Sequence, residues 1–389
     1  MFAGRSSSGG SGYVRAVAEP LKNSFDRALV ERIADAGSAA SADFDAGAFT
    51  AVVMQDLPDL ELKDRVSLMA DEVIAHLGGD FSSALPAGVE MATTVAGHSD
   101  DSQAWGDSMD AWPLCSVVER HGLADVDASL AAMEQLTRMF SCEFAIRPFL
   151  AEHFDQTIDE CRSWTTSPMP AVRRLASEGT RPYLPWGTGV KALIADPEVG
   201  IGLITALRHD PDEVVRRSVA NHLNDIARHA PDRVAEIAAE WLADPDVEPA
   251  MVRHGLRGLV KKGHPGAMAA LGFTIDAKVE IDEFAVAPKE LHLGESIDLT
   301  ATIRSTASDD QRLIVDFVVH HVNASGATSP KVFKWTTIDL AAGESRTLTK
   351  TRRIATASTR RYHAGIHRVE LQVAGAAVAE DSFDLLESS

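Results

Sequence analysis

From Leu21 onward, apolar residues recur at helical spacing. Phe25, Leu29 and Ile33 stand four apart, and Leu62, Val66, Met69 and Val73 share one face of LELKDRVSLMADEVIAHLG. Such one-sided stripes mark amphipathic helices packed on a core. Residues 97–113, GHSDDSQAWGDSMDAWP, read as a long polar loop; the helical pattern then resumes near Ser129 and runs to about Lys262. Past Gly272 the period drops to two. KVEIDEFAV, SIDLTATIR, RLIVDFVVHHV, KVFKWTTIDL, SRTLTKTRRI, GIHRVELQV and AVAEDSFDL are seven alternating β-rich segments separated by polar turns. That number of short strands suits an immunoglobulin-like sandwich, here without cysteines and hence without a disulfide between its sheets.

Within the helical part the sequence repeats. VRRLASEGTRP begins at Val172, VRRSVANHLND follows at Val215, 43 residues on, and a degenerate VRHGLRGLVKKG begins at Val252, a further 37. Turn signals, SPMP and DPDE, precede the first two copies. Paired helices recurring at this interval predict a HEAT-like α-solenoid. The chain is therefore expected to be multi-domain. A flexible leader covers 1–17, an all-α HEAT-like repeat domain 18–272 and an all-β immunoglobulin-like sandwich 273–389.

On a helix over 214–229, Val215, Val219, Leu223 and Ile226 form the buried stripe, whereas Arg217, Asn221, Asn224, Asp225 and Arg228 fall on the other side. One repeat earlier the equivalents are Arg174, Glu178 and Arg181; one repeat later they are His254, Gly258 and Lys261. Stacked repeats would superpose these positions into a polar ridge, which reads equally as a binding face or as a solvated helix surface.

Length and composition narrow the class. A chain of 389 residues and 41.7 kDa exceeds one ordinary core, and 45% hydrophobic with 24% charged residues is a globular balance. No apolar run is long enough to cross a bilayer, and no basic segment followed by an apolar one opens the chain, so a cytoplasmic protein is expected. Cys115, Cys142 and Cys161 lack CxxC spacing, which excludes a disulfide scaffold and a zinc knuckle. The net charge of −20 argues against a polyanionic partner, but it is unevenly placed. Residues 1–142 hold 9 basic against 22 acidic side chains, whereas residues 341–370 hold 7 basic against 2 acidic. Arg352, Arg353, Arg360 and Arg361 lie in that basic turn region, as phosphate contacts or as a solubilising loop.

The chain holds no GxGxxG after a strand, no GxxxxGK[ST], no HExxH and no GxSxG. His320 and His321 are adjacent in a strand and point to opposite faces, a poor metal site. Carboxylates remain. Glu143 opens the helix-like SCEFAIRPFL, and Asp225 stands beside Asn221 and Asn224. Two carboxylates on one concave face stabilise a developing oxocarbenium ion and orient the water that captures it. Ion pairs with Arg147 and Arg228 are the alternative for each. Trp186 lies in RPYLPWG, where Pro182 and Pro185 prevent a helix, and Trp164 lies in the turn SWTTSP. Each offers a π face to a cationic ring or caps the core.

The strings EFAIRPFL, VRRLASEGTRPYLPWG and VRRSVANHLNDIA, with the early AEPLKNSFDRALVERIA, resemble the AlkC branch of the AlkC/AlkD DNA glycosylases over about residues 18–270. The trailing β region is similar to that of the subgroup with an immunoglobulin-like C-terminal domain. The resemblance implies hydrolysis of the N-glycosidic bond of N3-methylated bases, 3-methyladenine and 3-methylcytosine, without full flipping of the base. By position, Glu143 and Asp225 correspond to the family's active-site carboxylates and Trp186 to its active-site aromatic. Trp164, Arg174, Glu178, Arg181, Arg217, Asn221, Asn224 and Lys261 are then expected in DNA contacts or in support of the site, with Arg352, Arg353, Arg360 and Arg361 on phosphates.

The chemistry agrees with that reading. An N3-alkylated base carries positive charge and leaves as a neutral molecule, so no general acid is obligatory. What remains is to stabilise the sugar cation. The expected partner is alkylated double-stranded DNA near the nucleoid, the protein a monomer, with no metal, organic cofactor or membrane involved. A non-catalytic HEAT scaffold binding DNA or protein through the same ridge is the rival, and the acidic net charge favours it.

Overall fold

The computed structural model describes residues 20–97, 108–355 and 362–387. It comprises two compact units that divide after Glu160.

The first unit is helical. Its elements are α1 (Arg27–Ala40), α2 (Ala46–Asp56), α3 (Leu62–Leu77), α4 (Phe81–Ala96), α5 (Trp112–His121), α6 (Val126–Leu136) and α7 (Arg147–Glu152); the division falls within α8 (Phe154–Trp164). Aspartates start four of them. Asp26, Asp45, Asp80 and Asp125 accept from the backbone N–H of the third residue of α1, α2, α4 and α6, each cap contributing about 1 kcal/mol. The expected stripe residues Phe25, Leu29, Ile33, Val66, Met69 and Val73 are all buried.

The polar loop expected over 97–113 is shorter than its composition suggests. Residues 98–107 lie outside the described residues, Met109–Ala111 is a 3-10 turn, and α5 begins at Trp112, well before Ser129. Pro113 is tolerated in the first turn because its missing N–H would have no partner there. Trp112 is buried and stacks on Phe140 and Phe144, with ring centres 5.3 and 5.4 Å apart. Tertiary stacking overrides the polar neighbourhood.

The second unit continues with α9 (Pro170–Glu178), α10 (Lys191–Ala195), α11 (Pro197–Ala206), α12 (Glu213–Ile226), α13 (Pro231–Ala243), α14 (Pro249–Gly255), α15 (Arg257–Lys261) and α16 (Pro265–Ala270). Proline opens five of these, where its fixed φ suits the helix start. The 43-residue repeat is realised atom by atom. Arg173 Nη1 donates to the carbonyls of Ser167 and Pro168 at 2.9 and 3.2 Å, and Arg216 Nη1 donates to those of Asp210 and Pro211 at 2.8 and 2.7 Å. The first arginine of each VRR thus ties down the turn before its helix. Val172, Val215 and Val252 are equivalent and fully buried.

The sandwich follows in the same unit. Strands β1 (Val279–Ala287), β2 (Glu290–Leu291), β3 (Ser296–Ser305), β4 (Gln311–Val322), β5 (Thr328–Leu340), β6 (Ser345–Arg353), β7 (Gly365–Val373) and β8 (Ala376–Leu385) form sheets β1-β3-β6 and β2-β8-β7-β4-β5. Every described pairing is antiparallel except β2 with β8. Ile297, Leu299, Ala301 and Ile303 of one sheet meet Leu313, Val315, Phe317, Leu371 and Phe383 of the other. All seven expected segments are strands. The eighth, β2, has two residues, too few to show an alternation.

Strand β4 departs from alternation: Ile314, Asp316 and Val318 are buried as well as the core-facing positions. The end of the helical segment lies against this region. A Cβ on Gly375, in the β7–β8 turn, would come 2.8 Å from the Cα of Gly263, and both glycines have positive φ. Thr274 N–H donates to Arg312 O at 2.9 Å, and the Arg312 guanidinium lies 5.1 Å from the Phe273 ring centre. Burial raises the Asp316 carboxyl above its ordinary range, against which its backbone hydrogen bond, Lys334 and Lys261 act. Lys261, expected on the DNA-facing ridge, thus directs part of its charge at the sandwich. No helix of the described residues is long and apolar enough to cross a membrane.

Candidate active site

Glu178 closes α9, Arg181 follows three residues later, and Asp225 lies in the last turn of α12. Arg181 Nη1 donates to Glu178 Oε1 at 2.5 Å and Arg181 Nε to Asp225 Oδ2 at 2.8 Å. These positions were expected on a polar ridge, but Glu178, Arg181 and Asp225 are only 6, 7 and 6% exposed. The correction has a packing cause: α12 is flanked by α9 on one side and α14 on the other, so both neighbours cover part of its polar face. Three charges summing to −1 are therefore held away from water. Burial pushes the Asp225 carboxyl above its ordinary range, and the Arg181 hydrogen bond and charge oppose the rise. A solvated helix face shows no such balance.

The rest of the expected ridge divides. Arg174 Nη2 is 4.0 Å from Glu178 Oε1 and extends the cluster. Arg217 is exposed and pairs with Glu213 at 3.0 Å, an ordinary surface ion pair. Asn221 Oδ1 accepts from Arg257 Nη2 at 3.0 Å, and Asn224 Oδ1 accepts from Gly258 N–H at 3.1 Å. These two asparagines stitch one repeat to the next. Arg228 lies over the Tyr183 ring, 3.9 Å from its centre, while its charge still acts on Asp225.

Two residues near the cluster escaped the sequence reading. Arg257 lies one place before Gly258, the ridge position in the degenerate third copy, so strict repeat register passes over it. Asp225 and Arg181 act on its charge with opposite sign, and it joins Arg217 in lowering the pKa of His254 below the ordinary range, after burial. Ser218, on the core side of α12, donates to Glu178 Oε2 at 2.6 Å. Nothing in the local sequence distinguishes it from a filler residue.

Trp186 stands in the loop between α9 and α10. It is 66% exposed, and its φ of 63° is left-handed, a conformation that favours glycine. Gly187 N–H donates to Leu184 O at 3.0 Å and closes the turn. A large aromatic held in a strained backbone and largely turned to solvent costs stability twice, as at sites kept for ligands. Trp186→Gly is accordingly expected to raise the melting temperature slightly, with strain relief of order 1 kcal/mol, while lowering DNA affinity or turnover. A lower melting temperature by calorimetry would show that the indole supports the fold. Trp164 ends α8 instead of lying in a turn, and it is buried, so no π face reaches a ligand there.

Glu143 belongs to the first unit. It lies in a run of turns before α7 and does not open a helix; it is half-buried, and Ser141 Oγ donates to its Oε2 at 2.9 Å. Arg352 and Arg353 end strand β6 and do not lie in a turn. The Arg352 guanidinium is 3.6 Å from the Phe333 ring centre, and Arg353 Nε donates to Gly294 O at 2.8 Å, so both have structural duties. Arg360 and Arg361 lie outside the described residues. His320 pairs with Glu370 at 3.0 Å, while His321 turns inward beside His367 and Tyr362. No group of three or more potential metal ligands occurs among the described residues.

Residues 139–258, which carry Glu143, the buried cluster and Trp186, match the family described as DNA alkylation repair enzyme. Residues 280–387 match the C-terminal Ig-like domain of YhaZ. Among solved structures, the Pseudomonas fluorescens alkylpurine DNA glycosylase AlkC, bound to DNA containing an abasic site analog, is 32% identical with a TM-score of 0.85, covering 95% of this chain and all of that one. The chain belongs to the AlkC family. The Bacillus subtilis protein YhaZ is 29% identical over 365 residues, 94% of this chain and 98% of its own length. AlkC membership spans both regions of the molecule, so the helical repeats and the sandwich belong to one design.

Proposed function

We propose that this chain is a monofunctional DNA glycosylase that hydrolyses the N-glycosidic bond of cationic N3-alkylated bases, 3-methyladenine and 3-methylcytosine, in duplex DNA. The reading starts from the AlkC relative, an alkylpurine DNA glycosylase. The observation that carries it is the buried cluster of Glu178, Arg181 and Asp225, near which the sequence places an exposed, strained Trp186.

In this reading the C1′–N bond breaks with its electrons passing to the base, which leaves neutral. The sugar cation left behind is stabilised by the Asp225 carboxylate. Water then adds to C1′ and gives its proton to a carboxylate, a task suited to Asp225 because burial makes it more basic than an exposed aspartate. Arg181 holds Asp225 in one orientation. Trp186 offers its face to the cationic base without a deep pocket, in keeping with release that does not require full flipping. Arg257, held by Asn221 and the His254 carbonyl, is a cation that a phosphate could engage on this face.

The scaffold reading rests on the net charge of −20. One experiment separates the two: release of 3-methyladenine and 3-methylcytosine from methylated duplex DNA, with binding measured across salt concentrations. The glycosylase releases base and its affinity falls with salt as counterions are displaced. Binding without release supports the scaffold, and an affinity indifferent to salt removes nucleic acid as the partner.

A further inference from the structure

We propose that Ser218 is a positioning residue for this reaction, aligning Glu178 so that Glu178 and Arg181 together fix the carboxylate of Asp225. The proposal rests on the glycosylase reading above. Ser218 is 2% exposed on the core side of α12, and its hydroxyl lies 2.6 Å from Glu178 Oε2 and 2.9 Å from Ser177 Oγ. A serine has one proton to give. The charged and nearer carboxylate takes it, which leaves Ser177 to donate to Ser218. The hydroxyls and charges then form one directed chain, Ser177 to Ser218 to Glu178, with Arg181 donating to Glu178 Oε1 and to Asp225 Oδ2.

The arrangement defines both oxygens of Glu178: one faces the serine and the other the guanidinium. Without the serine, Glu178 is free to rotate about its terminal bond, and Arg181 loses the fixed partner that aims it at Asp225. The charges facing this network are Arg174 from α9, Arg228 from the end of α12 and Arg257 from α15. Chains of buried hydrogen bonds that are fully satisfied hold one geometry; a missing link releases several members at once.

The test uses the full chain and methylated duplex DNA. Single-turnover release of 3-methyladenine is followed across pH for the wild type, Ser218→Ala and Ser218→Thr, with DNA affinity measured in parallel. Ser218→Ala is expected to slow release about tenfold, the effect of one hydrogen bond to a charged group. DNA affinity should stay within about twofold, a margin set by leaving the DNA-facing groups intact. The acidic limb of its rate profile moves to higher pH, because the anionic network has lost a donor. Ser218→Thr, which keeps the hydroxyl, restores the rate. A Ser218→Ala rate and pH profile equal to the wild type overturns the role of Ser218 alone. A loss of rate that Ser218→Thr shares, with affinity and melting temperature falling together, makes the residue structural and also overturns it. No release by the wild type overturns the glycosylase reading and this role with it.

Discussion

Asp225→Asn is expected to abolish base release, by at least about 10²–10³-fold, while leaving the protein folded and as stable as the wild type or more so. The two halves of this expectation have one cause. The carboxylate is desolvated, shares Arg181 with Glu178, and is held above its ordinary range by burial. Folding therefore favours its protonated form. That contribution to stability is complete below the unfolded-chain value near ~4 and is lost as pH rises through the higher folded value. At neutral pH the ionised Asp225 costs stability. Asparagine keeps the shape and an acceptor for Arg181 but removes the charge. Melting temperatures of the two proteins should thus diverge in favour of the variant at neutral pH and converge towards pH 4. A variant that releases base at the wild-type rate would take Asp225 out of the chemistry. A variant that unfolds would make it a structural aspartate.

Arg181→Met is expected to produce the largest loss of stability of any single change in the cluster, about 3–5 kcal/mol. The cost arises less from the pairs lost than from what they leave behind. Glu178 and Asp225 would be buried without the guanidinium that now donates to both. Methionine fills the volume of the stem, so the change isolates charge from packing. The shift should appear in the urea midpoint with the slope unchanged. Adding Asp225→Asn to Arg181→Met should recover part of the loss, because one of the two orphaned charges disappears. If the two changes add without coupling, the network is not a unit. A loss below about 1 kcal/mol would mean that the cluster is solvated, as surface pairs are.

These effects show why the ridge was half legible in the sequence. The repeat of VRR at Val172 and Val215 fixed which helices are equivalent, and helical period then placed Glu178, Arg181 and Asp225 on one polar ridge opposite the buried stripe. Composition could not tell whether those faces met water. A polar residue on a helix is solvated by default, and only the packing of α9 and α14 against α12 makes these three buried. Ser218 was invisible for the same reason, since its role depends on a side chain 40 residues away. Arg352 was placed in a turn because local basic density was all the sequence offered, whereas its place at the end of β6 and its stacking on Phe333 of the other sheet depend on strands far apart in the chain. The loop before α5 was overextended because the stacking partners of Trp112 lie beyond Leu136.

Periodicity is a local property, so the helices, the repeat, the seven longer strands and the change from α to β could be read along the chain. The candidate chemistry, two carboxylates and an aromatic in a proline-bound loop, could be read as residue types. Whether a given charge lies in water or in a core is set by contacts between residues far apart in the chain. Desolvation strengthens the interactions of Asp225, imposes the cost its neighbours offset, and separates it from the solvated pair of Arg217 and Glu213 on the same helix. That difference arises from packing, because neighbouring positions of one helix present the same pattern to the sequence.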